Sequence, residues 1–325
     1  MLSTKKRFEI ENQVILITGG SQGLGLEFAK TFLRNTKKTK VIIVSRSLQK
    51  LTNACEKITS ELTPLQNESK SKGFATLAKY KEGNSTRLYY HPCDLSSPSD
   101  VETNLQPLLL DIPVSQTFFV AGGTSPRLFK DHSLEELAQG VSMNYLSALY
   151  LSKVILSQIS TCNHLVFFSS EVSFFPFVGY AQYAPLKTAL KTLVCILRQE
   201  FPHKRLSLVY PGNFESEGYS EENLTKPEIT KEIEGSSVPI SCEECCDKII
   251  NSLRHGYDDI TTDFIGWVLM SLDMGLNKNW NRSYLWGLQL ILGVIANLIV
   301  VPIYMVFVNY QIRSWLKKAE TKKRA

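Results

Sequence analysis

Tyr183 and Lys187 stand four residues apart, so on a helix they share one face, one turn from each other. A phenol titrates near pH ~10 and is a poor acid at neutral pH. A neighbouring ammonium favours the phenolate, lowers that pKa and makes proton exchange with an alcohol or ketone feasible. Ser170 lies 13 residues upstream, at the end of an apolar run, where its hydroxyl could bond the same substrate oxygen. Asn144, in a segment that reads as helix, could anchor a water linking Lys187 to solvent. A Tyr-x-x-x-Lys pair alone is common by chance. With Ser170, Asn144 and an upstream nucleotide loop it makes a proton-relay site for a carbonyl–alcohol conversion.

That loop is Thr18-Gly19-Gly20-Ser21-Gln22-Gly23-Leu24-Gly25. It follows a short apolar run and opens a helix. Gly19, Gly23 and Gly25 carry the spacing that lets a backbone turn tightly and approach a pyrophosphate, while Ser21 and Gln22 sit inside the turn. The helix start adds N–H groups and a positive dipole end. The second strand ends in Ser45-Arg46-Ser47, with Lys50 one turn later. A cation there, in place of the acid that binds ribose hydroxyls, suits a 2′-phosphate, so NADPH is the expected cofactor. Asp94, with Leu95 after it, is a candidate acceptor for the adenine amino group or a helix N-cap.

The elements that must hold these residues are short apolar runs alternating with helical patterns. Runs at 14–17, 41–44, 88–90, 117–120, 165–168 and 206–210 read as buried parallel strands, and a last one near 260–264 makes about seven. The expected fold is α/β, a doubly wound parallel sheet with ligands at the carboxyl ends of its strands. Residues 1–265 would form this nucleotide-binding catalytic domain. The polar stretch 60–87 reads as a surface insertion, and the polar segment 213–239 follows the sixth strand, where a fold of this kind often places a substrate lid.

Residues 266–325 differ in character. Tyr284–Val308 is 25 residues without a charge, long enough to span a bilayer with some tilt. The chain's net charge of +5 equals that of the tail after Val308, where six Lys and Arg face Glu320 alone. The catalytic body is therefore neutral and shows no basic excess for nucleic acid. Seven scattered cysteines argue for a reducing compartment, and Cys242-x-x-Cys245-Cys246 lacks a second ligand pair, so no metal is expected.

The chain resembles the short-chain dehydrogenase/reductase family over residues 10–265. The likeness rests on the 18–25 loop, Cys93-Asp94-Leu95, Ala121-Gly122-Gly123, Asn144, Ser169-Ser170, Tyr183-x-x-x-Lys187 and Pro211-Gly212. It implies the catalytic set Asn144, Ser170, Tyr183 and Lys187. It also places Pro211, Gly212 and Ser216 along the nicotinamide, with Tyr183 and Lys187 touching cofactor too. Two departures stand out. Phe119-Val120-Ala121-Gly122 replaces the family's Asn-Asn-Ala-Gly, and Pro185 sits between Tyr183 and Lys187, where a first helical turn tolerates it.

Within the family, 174–185, 210–218 and 262–267 resemble members that reduce a long-chain keto-amine lipid. That likeness implies an NADPH-dependent lipid reductase on the endoplasmic reticulum membrane. Lys322-Lys323-Arg324-Ala325 resembles a dilysine retrieval signal, which is read in the cytosol. Catalytic body and tail would then share the cytosolic side, which requires a re-entrant or hairpin arrangement of 264–308, with Asn297 and Pro302 as candidate breaks. Phe174, Phe175, Phe177 and Val178 suit a lipid mouth, ordinary core, or the contact of a homo-oligomer. A membrane-bound retinol or hydroxysteroid dehydrogenase and a non-catalytic nucleotide-binding scaffold are the alternatives.

Overall fold

The computed structural model describes residues 8–62, 73–82, 86–235, 238–273 and 283–324. Eight strands form one sheet in the order β3-β4-β2-β1-β5-β6-β7-β8, every neighbouring pair parallel. They are β1 Val14–Thr18, β2 Lys40–Ser45, β3 Phe74–Thr76, β4 Leu88–Pro92, β5 Gln116–Phe119, β6 His164–Phe168, β7 Arg205–Tyr210 and β8 Asp259–Thr261. Continuous Val/Ile/Leu/Phe runs build the central strands because both faces of a parallel sheet are covered by helices. Side chains alternate between the two layers. Leu16, Ile42, Val44 and Phe167 face one core, and Ile15, Ile17, Ile43 and Val166 face the other.

The helices used below are α1 Gly23–Arg34, α2 Leu48–Leu62, α3 Leu134–Val141, α4 Ser147–Gln158, α5 Ala184–Glu200, α6 Glu217–Thr225, α7 Glu228–Glu234, α8 Cys242–Arg254, α9 Phe264–Leu272, α10 Trp286–Leu298 and α11 Val300–Arg324. Strand order reverses between β1 and β5, which opens a crevice at their carboxyl ends. Gly19, Arg46, Asp94, Gly122, Ser170 and Pro211 all follow strands along this edge.

Two expectations are corrected. The 60–87 stretch is not wholly a surface insertion. Phe74–Thr76 adds an eighth strand beside β4, followed by buried Leu77. Tyr80 packs on Tyr89 at 5.0 Å, and Lys40 Nζ sits 4.3 Å from the Tyr80 ring. Three residues inside a polar run are too short a signal to show a period. The last strand ends at Thr261 rather than reaching Phe264, because Asp263 starts a helix: its Oδ1 accepts the Gly266 N–H at 2.7 Å.

Cys245 and Cys246 are buried in the core between α8 and α1, with Cys246 Sγ 3.6 Å from Thr31 Oγ1. Among the described residues no His, Cys, Asp and Glu cluster is arranged to hold a metal.

The apolar run 284–308 is not one helix. Among the described residues no single helix is long and apolar enough to cross a membrane; α10 and the first part of α11 reach that length only as a pair bent by 51°. The break falls at Ile299, two residues after Asn297. α11 turns back onto the catalytic body, where Val308 packs with Ile229 and Ile233 of α7 against Phe175 and Phe177.

Candidate active site

The nucleotide cleft is built by close backbone approach. Gly19 has φ +67°, and a Cβ there would lie 2.8 Å from Ala121 Cα. A Cβ on Gly25 would collide with the Gly19 carbonyl, so α1 can begin this close to β1 only with glycine. Gln22 is the α1 N-cap but makes no side-chain cap, which leaves the first amides of α1 to another acceptor. The cleft, about 760 Å³, is lined by every expected cofactor residue of the first half: Gly19, Ser21, Gln22, Gly23, Gly25, Arg46, Lys50, Asp94 and Leu95. Arg46 is exposed at its rim, and Lys50 Nζ donates to Gln22 Oε1 at 2.9 Å. Asp94 Oδ1 accepts from the Ser96 N–H and hydroxyl at 3.0 and 2.7 Å, which ties one carboxylate oxygen into its own turn.

The cleft continues into a second cavity of about 650 Å³, lined by Ser170, Tyr183, Lys187, Pro211, Gly212 and Ser216. Ser216 faces both spaces and caps α6 through the Tyr219 N–H at 3.0 Å. Tyr183 is the N-cap of α5, with Pro185 in the first turn, where its missing N–H costs nothing. The Ser170 hydroxyl hydrogen-bonds the Tyr183 phenol.

Asn144 lies behind the site rather than in either cavity. It occupies a π-helical turn, Ser142–Leu146, between α3 and α4. Its Oδ1 accepts the Gly123 N–H at 3.0 Å, and its Nδ2 donates to the Gly123 carbonyl at 2.8 Å. Asn144 therefore clamps the loop after β5. A Cβ on Gly122 would sit 3.0 Å from Asn144 Oδ1 and 3.2 Å from Lys187 Nζ, so both side chains converge on that glycine.

The electrostatics differ from the expectation that Lys187 depresses the phenol. Burial, then the Glu222 carboxylate, push Tyr183 up, and only the Ser170 bond pulls it down. Lys187 Nζ donates to the Phe168 carbonyl at 2.8 Å and lies 5.4 Å from the Tyr183 ring centre. Burial lowers the lysine itself to about 8. Tyr183 is thus a protonated phenol at neutral pH, and Lys187 is placed to meet the phenolate only after a proton has left.

Sequence reasoning missed the acidic side of the cavity. Glu171, Glu222, Glu234, Asp263 and Asp273 line it, against Lys187 as its one lining cation among the described residues. Tyr180 OH donates to Glu222 Oε1 at 2.5 Å, and Lys226 bridges Glu222 and Glu234 at 3.0 and 2.7 Å. Asn213 Nδ2 donates to Glu234 Oε1 at 2.7 Å, so α6 and α7 are latched over the site. The Glu171 carboxyl is raised to about 9 by burial first, then by the nearby Asp263 carboxylate. Apart from Lys226, four residues from Glu222 and eight from Glu234, these partners are tens of residues apart, and only Glu171, next to Ser170, carried a local hint.

The apolar side was half anticipated. Phe174, Phe175 and Phe177 line the cavity as expected, but Asn297, Val301, Tyr304 and Met305 of the C-terminal helices line it as well.

A nucleotide cleft at a sheet switch point, opening onto a Ser–Tyr–Lys cluster, defines a class. The chain belongs to the short-chain dehydrogenase/reductase family, and the KR domain family matches residues 13–203. Over nearly its whole length it is similar to the 3-ketodihydrosphingosine reductases of Kluyveromyces lactis, 47% identical over 98% of this chain and 100% of the relative, and of Candida glabrata, 44% identical over 97% and 99%. That of Dictyostelium discoideum is 27% identical over 97% of this chain and 93% of its own. Among solved structures, a short-chain dehydrogenase of Burkholderia cenocepacia in complex with NADP shares the fold at TM-score 0.59 and 16% identity, covering 80% of this chain and 92% of that one. An alcohol dehydrogenase of Thermococcus sibiricus complexed with 5-hydroxy-NADP does so at TM-score 0.55 and 19% identity, covering 77% and 95%.

Proposed function

We propose that this protein reduces the 3-keto group of a long-chain 2-amino-ketone, 3-ketosphinganine, to the alcohol sphinganine with NADPH, on the cytosolic face of the endoplasmic reticulum membrane. The observation that carries the reading is the cavity beside Tyr183, whose lining combines five carboxyl side chains with aromatic and aliphatic ones. That is the complement of a cationic head on an alkyl chain. A neutral steroid or retinoid carries no ammonium for these carboxyls to recognise, so the lining favours an amine over either. The names of the relatives agree with the reading.

The residues present fit NADPH. The glycine cradle admits a pyrophosphate at the uncapped start of α1, and Arg46 and Lys50 stand where a 2′-phosphate would be held. The cofactor supplies hydride. The protein's part is the proton: Tyr183 Oη donates it to the ketone oxygen, which Ser170 also bonds, and the Lys187 ammonium stabilises the phenolate left behind. Asn144 holds the loop that places Gly122 against this group.

Membrane association rests on the exposed apolar residues of α10 and α11, such as Leu298 and Val306, and on the cationic tail. NADPH consumption by the full-length protein with 3-ketosphinganine tests the reading. Wild type should turn over. Tyr183→Phe should lose at least about a hundredfold in kcat, the usual contribution of a positioned acid. A Tyr183→Phe protein as active as wild type overturns the assignment.

A further inference from the structure

α11 carries a stripe at helical spacing: Val301, Tyr304, Met305, Val308, Ile312 and Trp315. The structure divides the stripe by what it touches. Val308, Ile312 and Trp315 pack against Ile229 and Ile233 of α7 and against Phe175 and Phe177. Val301, Tyr304 and Met305, one turn earlier, line the 650 Å³ cavity that holds Ser170 and Tyr183. Tyr304 meets the Phe175 ring edge-on at 5.7 Å.

The bend makes this possible. Asn297 Nδ2 donates to the Gly293 carbonyl at 2.8 Å and reaches the Leu272 carbonyl of α9 at 3.4 Å, which pins the end of α10 to the catalytic body. The chain then turns by 51°, and α11 runs back across the site. The opposite face of α11 stays open: Ile303, Val306 and Phe307 are exposed. One face of α11 therefore lines the cavity, with Tyr304 and Met305 still about 40% exposed, and the other is free for a lipid surface.

We infer that α11 is part of the substrate site, and that Val301 and Met305 select for a long alkyl chain by forming the wall it lies against. The proposal rests on the function given above and goes beyond anchoring. The 13–203 region holds the Ser–Tyr–Lys cluster and most of the nucleotide cleft, while specificity for the chain sits outside it. A helix that only tethered the protein would have no reason to place its 301–305 turn opposite Phe175.

The experiment uses the full-length protein in detergent micelles, so that membrane attachment does not enter the kinetics. Val301→Trp and Met305→Trp fill the cavity wall; Val306→Trp adds the same bulk on the exposed face. Each is assayed with 3-ketosphinganine and with an analogue of about eight carbons. Both wall variants should lower kcat/KM for the long ketone roughly tenfold relative to the short one, the loss expected when about two methylenes leave an apolar site. The KM for NADPH should stay at the wild-type value, and Val306→Trp should leave the long-to-short ratio unchanged. A ratio within about twofold of wild type in both wall variants overturns the inference.

A second readout does not depend on turnover. A long-chain amine carrying a terminal diazirine should label a peptide containing residues 300–312, and Met305→Trp should suppress that labelling. If wild type reduces neither ketone yet labelling follows this pattern, the reaction assignment fails and the wall stands. Labelling confined to other segments sinks the wall.

Discussion

Glu171→Gln is expected to make the protein more stable at neutral pH, by an amount that grows with pH. The Glu171 carboxyl lies in the cavity wall beside Asp263, and a Cβ on Gly212 would come within 3.1 Å of its Oε1. Asp263 is exposed and caps α9; Glu171 is the desolvated carboxyl, and its proton is held by burial first and by the Asp263 carboxylate next. Its pKa rises from 4.5 to about 9 on folding. A raised folded pKa means that the native state binds the proton more tightly than the unfolded chain. Its contribution is fully favourable below 4.5 and is lost as pH climbs towards 9. By pH 7 the loss spans about 2.5 pH units at about 1.36 kcal/mol each, an upper bound of about 3.4 kcal/mol. Solvent screening at exposed Asp263 reduces this to roughly 1–3 kcal/mol. Glutamine is neutral at every pH, has the same shape and can donate an N–H to Asp263, so it escapes the loss. The midpoint gain of Glu171→Gln should be near zero at pH 4.5 and reach about 2–8 °C at pH 7, read from thermal unfolding of the full-length protein across that range. Wild-type and variant curves that run parallel from pH 4.5 to 8 would refute a raised Glu171 pKa.

Three further outcomes follow from the site. With Lys187 lowered to about 8, its ammonium is present below that pH and lost above it, so kcat should fall as pH rises from 7 to 9; a flat profile contradicts its role at the phenolate. Arg46→Asp should raise the NADPH KM by at least about tenfold, the worth of one charge-assisted contact, while the NADH KM moves far less. An unchanged NADPH KM would remove Arg46 from the cofactor site. Gly25→Ala should cost about 1–3 kcal/mol in unfolding free energy and weaken nucleotide binding, because the added methyl meets the Gly19 carbonyl; calorimetry with and without NADPH measures both.

Much of this was legible in the chain. Local patterns dictate local structure, so the buried runs at β1, β2, β6 and β7 were readable from composition and period alone. Tyr183, Lys187 and Ser170 declared themselves because helix geometry and strand ends turn sequence spacing into proximity. The glycine turn did so because only glycine permits that approach to Ala121 and the Gly19 carbonyl. What escaped was set by long-range contact. Phe74–Thr76 is a strand only because β4 offers an edge, and Phe264 begins a helix because Asp263 caps it. Lys187 faces the Phe168 carbonyl rather than the phenol oxygen, and Glu171 meets Asp263 from 92 residues away. The apolar tail could be recognised as apolar from its residues, but not as a wall of the cavity. A helix's period tells which residues share a face; what that face covers depends on the rest of the fold. Sequence alone thus singled out the residues that could relay a proton, and the tertiary structure decided what surrounds them: carboxyl side chains and the 301–305 turn of α11 in one cavity lining.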